Sequence, residues 1–149
     1  LDLKPADEPI LEAKFAGLPN SSGGRRSVAD WLEHVRSSVG ILNGMSSLQM
    51  REFMLDSAMI RAPAGSIIFQ RNTPGPSLFG IVEGEVAVEV DPADPSATVP
   101  IGAGSIFGEV GLISGRRRGA TIRAGSDCIV VEISRNAALK LMSQVPAAA

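Results

Sequence analysis

The sequence is poor in the residues from which active centres are most often built. Its 149 residues include one cysteine, Cys128, one histidine, His34, one tryptophan and no tyrosine. A single cysteine excludes an intramolecular disulfide and favours a reducing, cytoplasmic setting. One histidine and one cysteine cannot build a metal cluster of the usual His/Cys spacing. A hydrolase-type triad would need His34, which falls off the apolar stripe of its helix and reads as a solvated surface residue. A basic surplus is also missing: 14 Lys and Arg stand against 16 Asp and Glu, a formal net charge of -2. That balance argues against direct nucleic-acid binding. No apolar run approaches the ~18 residues of a membrane span, and no N-terminal pattern reads as a signal peptide.

What is present is enough for one core. Hydrophobic residues make up 44% and charged residues 20%, the balance of a folded domain rather than a disordered chain. The first residue is Leu1 rather than Met and the end reads Pro146-Ala-Ala-Ala, so the segment is read as a piece of something longer. Residues 1–26, rich in Pro, acid and then Asn20-Ser-Ser-Gly-Gly, are expected to be a linker or the tail of an upstream domain.

Ser27 is a good N-cap, and Val28, Trp31, Leu32, Val35 and Val39 follow at helical spacing. Ser46 with Gln49 three residues on has a capping-box pattern, with Leu48, Phe53, Met54 and Met59 as the apolar residues of a second helix. These two helices are assigned to residues 27–60. From Pro63 onward glycine and proline punctuate short β-rich runs at 67–69, 78–82, 86–90, 106–107, 121–122 and 128–133. Val86, Val88 and Val90 are expected on one face of a strand, with Glu85 and Glu89 on the other. Asp91 to Ser96 reads as a turn. Many short strands indicate a sandwich or jelly-roll barrel, and residues 134–149 offer a short amphipathic helix and tail. Cys128, in an apolar strand, is read as a core residue.

One segment carries chemistry, Ser105 to Ala124. Gly108 permits close backbone approach, Glu109–Ile113 is predicted to form a short helix with free N–H groups, and Gly115 and Gly119 bracket Arg116-Arg117-Arg118. A carboxylate that accepts from hydroxyls, beside a guanidinium that pairs with phosphate oxygens, suits a ligand carrying both groups. Arg116 and Arg117 are read as a solvated turn.

Phe107-Gly108-Glu109, then Leu112 and Arg118-Gly119-Ala120-Thr121, resembles the phosphate-binding cassette of cyclic nucleotide-binding domains. Such domains occur in cAMP receptor proteins, cyclic-nucleotide-dependent kinases and cyclic-nucleotide-gated channels. The likeness extends through Ala64 to Phe69 and Ile81 to Val86 and covers about residues 41–145. It implies an α+β, mainly β fold: an antiparallel jelly-roll β-roll over 61–133 with the cassette at 107–121, flanked by N-terminal helices and a short C-terminal helix. It implies that Glu109 holds the ribose 2′-hydroxyl and Arg118 the cyclic phosphate. Gly108 would lie near the ribose, the Gly119 and Ala120 amides on phosphate oxygens, and Val110, Leu112, Ile101 and Thr121 along the walls. Three positions depart from the family: Arg117 replaces the usual proline, Gly111 an alanine, and Asn72 a glycine, where Asn tolerates positive φ.

The resemblance further implies a regulatory module without catalysis of its own and without a cofactor, its ligand being cAMP or cGMP. In the family a hydroxyl-bearing residue after the arginine accompanies cGMP preference; here that residue is Gly119, so cAMP is expected to be favoured. The expected partners are a fused or separate effector domain and, in addition, a second copy in a homodimer. Two other readings stay open: a ligand-free interaction domain of the same fold, and the effector part of a transcription factor. The loop Gly111 to Arg118 also resembles versions fused to bacterial flavin-dependent oxidoreductases.

Overall fold

The computed structural model describes residues 7–20, 23–109 and 115–144. Three helices come first: α1 (Asp7–Phe15), α2 (Val28–Ser38), and α3 (Ser47–Leu55), with a 3-10 turn at Gly40–Leu42 between the last two. Among the described residues eight strands follow: β1 (Ser57–Ala62), β2 (Ile67–Phe69), β3 (Leu78–Glu83), β4 (Glu85–Glu89), β5 (Thr98–Gly102), β6 (Ile106–Phe107), β7 (Ile122–Ala124) and β8 (Cys128–Ile133). Helix α4 (Arg135–Gln144) closes the described chain. The strands form two antiparallel four-stranded sheets, ordered β1-β8-β3-β6 and β2-β7-β4-β5. This is the mainly β, antiparallel roll that the strand pattern indicates.

The first sheet is buried on both faces, because alternate residues of β3 and β8 serve two cores. Phe79, Ile81, Cys128 and Val130 point between the sheets with Val86, Phe107 and Ile122. Leu78, Val82, Ile129, Val131 and Ile133 point the other way, against the helices. Helix, sheet and sheet therefore stack as three layers.

Local chemistry fixes the helix ends. Ser27 Oγ accepts from the Asp30 amide at 3.1 Å. Ser46 and Gln49 make the complete capping box, at 3.1 and 2.8 Å. Ser134 caps α4 by accepting from the Ala137 amide at 3.1 Å, and it donates to Asp56 Oδ2 at 3.0 Å. That second bond ties the start of α4 to the end of α3.

Four expectations are corrected. Residues 1–26 are not a linker throughout. Helix α1 buries Leu11 and Phe15 one turn apart, Phe15 stacks on Trp31 with centroids 5.7 Å apart, and Lys14 Nζ donates to Ser57 O at 2.6 Å. Pro9 lies in the first turn, where a missing N–H costs nothing, and Asp7 and Glu8 suit the positive helix end. The N-terminal helices end before residue 60, since β1 starts at Ser57 and pairs Met59 with Val131. Val90 lies past the end of β4 and is 58% exposed. His34 is not simply solvated: its Nε2 sits 2.7 Å from Glu83 Oε2, and the ring meets Trp31 edge-on.

Candidate functional site

Arg118 is the point around which the site is built. It is 6% exposed, although nothing in the apolar pattern predicts burial there. Its guanidinium lies 4.3 Å over the Phe69 ring and 5.5 Å from that of Phe79, a stacking that suits a weakly hydrated planar cation. Phe79 in turn stacks on Phe107 at 5.1 Å. Strands β2, β3 and β6 thus supply an aromatic floor for one charge.

The polar partners are backbone carbonyls. Nη1 donates to Gly108 O at 3.1 Å and Nη2 to Ser77 O at 3.0 Å, while Nε is buried without a partner. Burial pushes the guanidinium's pKa down, and the neighbouring charge of Glu132 acts in the opposite sense. Among the described residues no carboxylate forms an ion pair with it. A cation held this way has donor capacity and charge to spare for an anion.

The backbone around Arg118 explains its place. Asn72 has φ +68° and its amide donates to Arg118 O at 2.7 Å; the Arg118 amide donates to Thr73 O at 2.9 Å. Arg117 Nη1 reaches Asn72 O at 3.1 Å, so this residue fastens the turn where the family has a rigid proline. Gly108 has φ +89°, and a Cβ there would come within 2.7 Å of Arg118 Nη1. Only glycine both takes that turn and lets the guanidinium pass.

A cavity of about 430 Å³ opens beside the guanidinium, within the size range of small-molecule sites. Its walls include Phe69, Val88, Ile101, Phe107 and Ile122, with Gly108, Glu109, Gly119 and Ala120 around the rim. The structure therefore brings Gly108, Glu109, Arg118, Gly119 and Ala120 together, and Ile101 with them. The Gly119 and Ala120 amides donate to no described residue. Glu109 is exposed and does not pair with Arg118.

Thr121 is placed differently from the expectation. It lines a separate polar groove with Arg71, Glu89 and Pro92, and its Oγ1 accepts from the Arg71 amide at 2.9 Å. Strand alternation turns Ile122 into the cavity and Thr121 away from it. Val110 and Leu112, and the helix expected over 109–113, lie outside the described residues apart from Glu109 itself. Phe69, Phe79 and Ser77 were not singled out by sequence, since they approach Arg118 only through sheet pairing.

A jelly roll whose interior ends in an aromatic-floored cation defines a small-ligand-binding domain. The sequence model of the cyclic nucleotide-binding domain matches residues 59–145, and the chain belongs to that family. It is a cyclic nucleotide-binding regulatory domain, a binding fold rather than a catalytic one. A cyclic nucleotide-gated potassium channel of Rhizobium etli is 41% identical over 71 residues, 48% of this chain and 19% of the channel. A putative potassium channel protein of Rhodopseudomonas palustris is 34% identical over 62 residues, 42% of this chain and 15% of that protein. The chain thus spans less than a fifth of these relatives' length.

Among solved structures, a cyclic nucleotide-binding domain from Methylobacillus flagellatus superposes with a TM-score of 0.63 at 25% identity, covering 79% of this chain and 69% of the other. The regulatory domain of Toxoplasma gondii PKA with cAMP gives 0.59 at 25% identity, covering 76% and 43%. Among the described residues no helix is long and apolar enough to cross a membrane.

Proposed function

We propose that this chain binds cAMP, in preference to cGMP, in the Arg118 cavity and passes occupancy to a fused or partner domain through its flanking helices. One observation carries the reading: a buried guanidinium that, among the described residues, donates to two carbonyls and no carboxylate, beside Gly119 and Ala120 amides that donate to no described residue. The cyclic phosphate sits on these three groups, Glu109 accepts from the ribose 2′-hydroxyl, and Ile101 and Ile122 flank the sugar and base. Occupancy draws on Gly108 and Ser77, whose carbonyls already hold Arg118, and so on β3 and the end of β8 from which α4 departs. The Ser134–Asp56 bond then couples α4 to α3, and a ligand that favours one arrangement of this pair shifts its population. Calorimetry with cAMP and cGMP tests the reading. Saturable binding of about one ligand per chain supports it; neither heat nor thermal shift at millimolar nucleotide would leave a ligand-free interaction domain.

The base preference rests on Gly119, which lines the cavity rim and has no side chain to offer a guanine amino group. An unpaired buried polar group costs about 1–3 kcal/mol, so cAMP should bind roughly tenfold more tightly than cGMP. Thr121 does not replace the missing hydroxyl, because its oxygen is already bonded outside the cavity. A Cβ at residue 119 meets nothing within 4 Å, so Gly119→Thr should fold normally and narrow or reverse the preference. Competition binding on both proteins decides it, and a wild type that favours cGMP would sink the argument.

Glu109→Gln should weaken cAMP by less than any change at Arg118. It keeps an acceptor but loses the charge assistance that roughly doubles such a bond. Removing the ligand's 2′-hydroxyl should then cost little in the variant and more in the wild type. Additive losses in that cycle would place the carboxylate elsewhere.

A further inference from the structure

Strand β8 turns Cys128 and Val130 into the space between the sheets, and by alternation Glu132 is the next residue on that face. A carboxylate there breaks an otherwise apolar row. Its cross-strand neighbour on β3 is Phe79, whose ring underlies Arg118. Paired antiparallel residues share a face, so the carboxylate and the ring lie side by side beneath the cation. Ser77, two residues before Phe79, closes the arrangement. Its Oγ donates to Glu132 Oε2 at 2.8 Å, while its carbonyl accepts from Arg118 Nη2 at 3.0 Å. Ser77 is held at one end by a fixed anion and holds the ligand-facing cation at the other.

We propose that Glu132 is a positioning and specificity-determining residue: through Ser77 it aims Arg118, and its own charge makes the cavity selective for a singly charged phosphate. The proposal rests on the cyclic nucleotide reading and extends it to the charge state of the ligand. A cyclic phosphodiester brings one negative charge. A phosphomonoester brings nearly two at neutral pH, its second ionisation falling near pH 6. Arg116, Arg117 and Glu109 also line the cavity and are common to the wild type and any Glu132 variant. What Glu132 adds is a negative charge beneath Arg118, which offsets that cation and opposes a second ligand charge more than a first. The residue therefore separates a cyclic nucleotide from its ring-opened hydrolysis product, which shares the base and sugar.

The test compares cAMP with 5′-AMP at pH 7.5 on the wild type, Glu132→Gln and Ser77→Ala. Glutamine keeps an oxygen for the Ser77 hydroxyl and removes only the charge. An opposite charge within a few ångströms of an ionisable group moves its equilibrium by about one to three powers of ten, and a like charge acts in the opposite sense. The ratio of the two affinities should therefore fall roughly tenfold in Glu132→Gln, mostly through tighter 5′-AMP. Ser77→Ala breaks the tether but leaves the charge, so both nucleotides should weaken together and the ratio should hold. A merely structural glutamate would lower both affinities in Glu132→Gln without moving the ratio, and that result overturns the proposal. Wild-type protein that binds neither nucleotide overturns the proposed function itself, and a wild type that binds cAMP keeps the two failures apart.

Discussion

Arg118→Ala should all but eliminate cyclic nucleotide binding while leaving a folded domain. Of the three arginines that line the cavity it is the buried one, and its guanidinium is held in place by the Gly108 and Ser77 carbonyls. Truncating one member of a buried charge pair costs about 2–5 kcal/mol, which corresponds to roughly thirtyfold to a few thousandfold in Kd. Effects on the unliganded fold oppose one another. The substitution removes two hydrogen bonds to carbonyls and the packing on Phe69, but it also removes a desolvated cation with an unpartnered Nε. Loss and relief are of similar size, so the thermal midpoint without ligand should move by only a few degrees. Arg118→Met, which keeps an apolar stem over the rings, should lose binding to the same extent. The midpoint of the wild type should rise with added cAMP by mass action, and that of either variant should stay put. A variant that binds within a factor of two of wild type would remove Arg118 from the site.

The place of this residue shows what a linear sequence reveals. Phe107-Gly108-Glu109 and Arg118-Gly119-Ala120 form a local motif whose spacing survives in the fold, so their meeting around one cavity was legible. The aromatic floor was not. Phe69 and Phe79 look like ordinary strand residues until β2 and β3 are paired, because which face a strand residue takes depends on a register that turns and bulges set. The same register separates Thr121 from Ile122. A one-residue difference sends the threonine to an outer groove and the isoleucine into the cavity.

Besides β1, which was read into the second helix, two elements escaped for different reasons. Strand β5 contains Pro100, which argues against a central strand; β5 is an edge strand, where a missing N–H is tolerated. Helix α1 has only Leu11 and Phe15 buried, too few to raise a periodic signal over a segment that composition makes look like a linker. By contrast the capping pairs at Ser27 and Ser46 are short-range hydrogen bonds, and both formed where the sequence indicated.

Gly75→Ala should cost nearly as much binding as a change at Arg118 itself, although residue 75 carries no functional group. The chain from Thr73 to Ser77 passes directly over the guanidinium. A Cβ at position 75 would overlap Arg118 Nε and lie 2.5 Å from both Cζ and Nη2. The loop has little freedom to retreat, since Pro74 and Pro76 restrict its backbone on either side and Arg118 itself is bonded to Thr73. The residue before a proline favours extended backbone, which alanine adopts without strain. The arginine must therefore yield, as the far end of a flexible side chain. In moving it gives up the Ser77 or Gly108 carbonyl and its seat on Phe69. Off-rotamer strain of about 0.5–1.5 kcal/mol adds to a lost charge-assisted bond of about 1.5–3 kcal/mol, so cAMP should bind roughly thirtyfold to two-thousandfold more weakly. Unliganded stability should change far less, because the displaced group can reach water. Gly119→Ala is the matched comparison: its Cβ enters open space and should shift affinity by less than about threefold, under 0.7 kcal/mol. Calorimetric titration of the two alanine variants separates steric displacement of the cation from a general intolerance of glycine substitution around the cavity. Equal affinities in the two would mean that the loop gives way rather than Arg118.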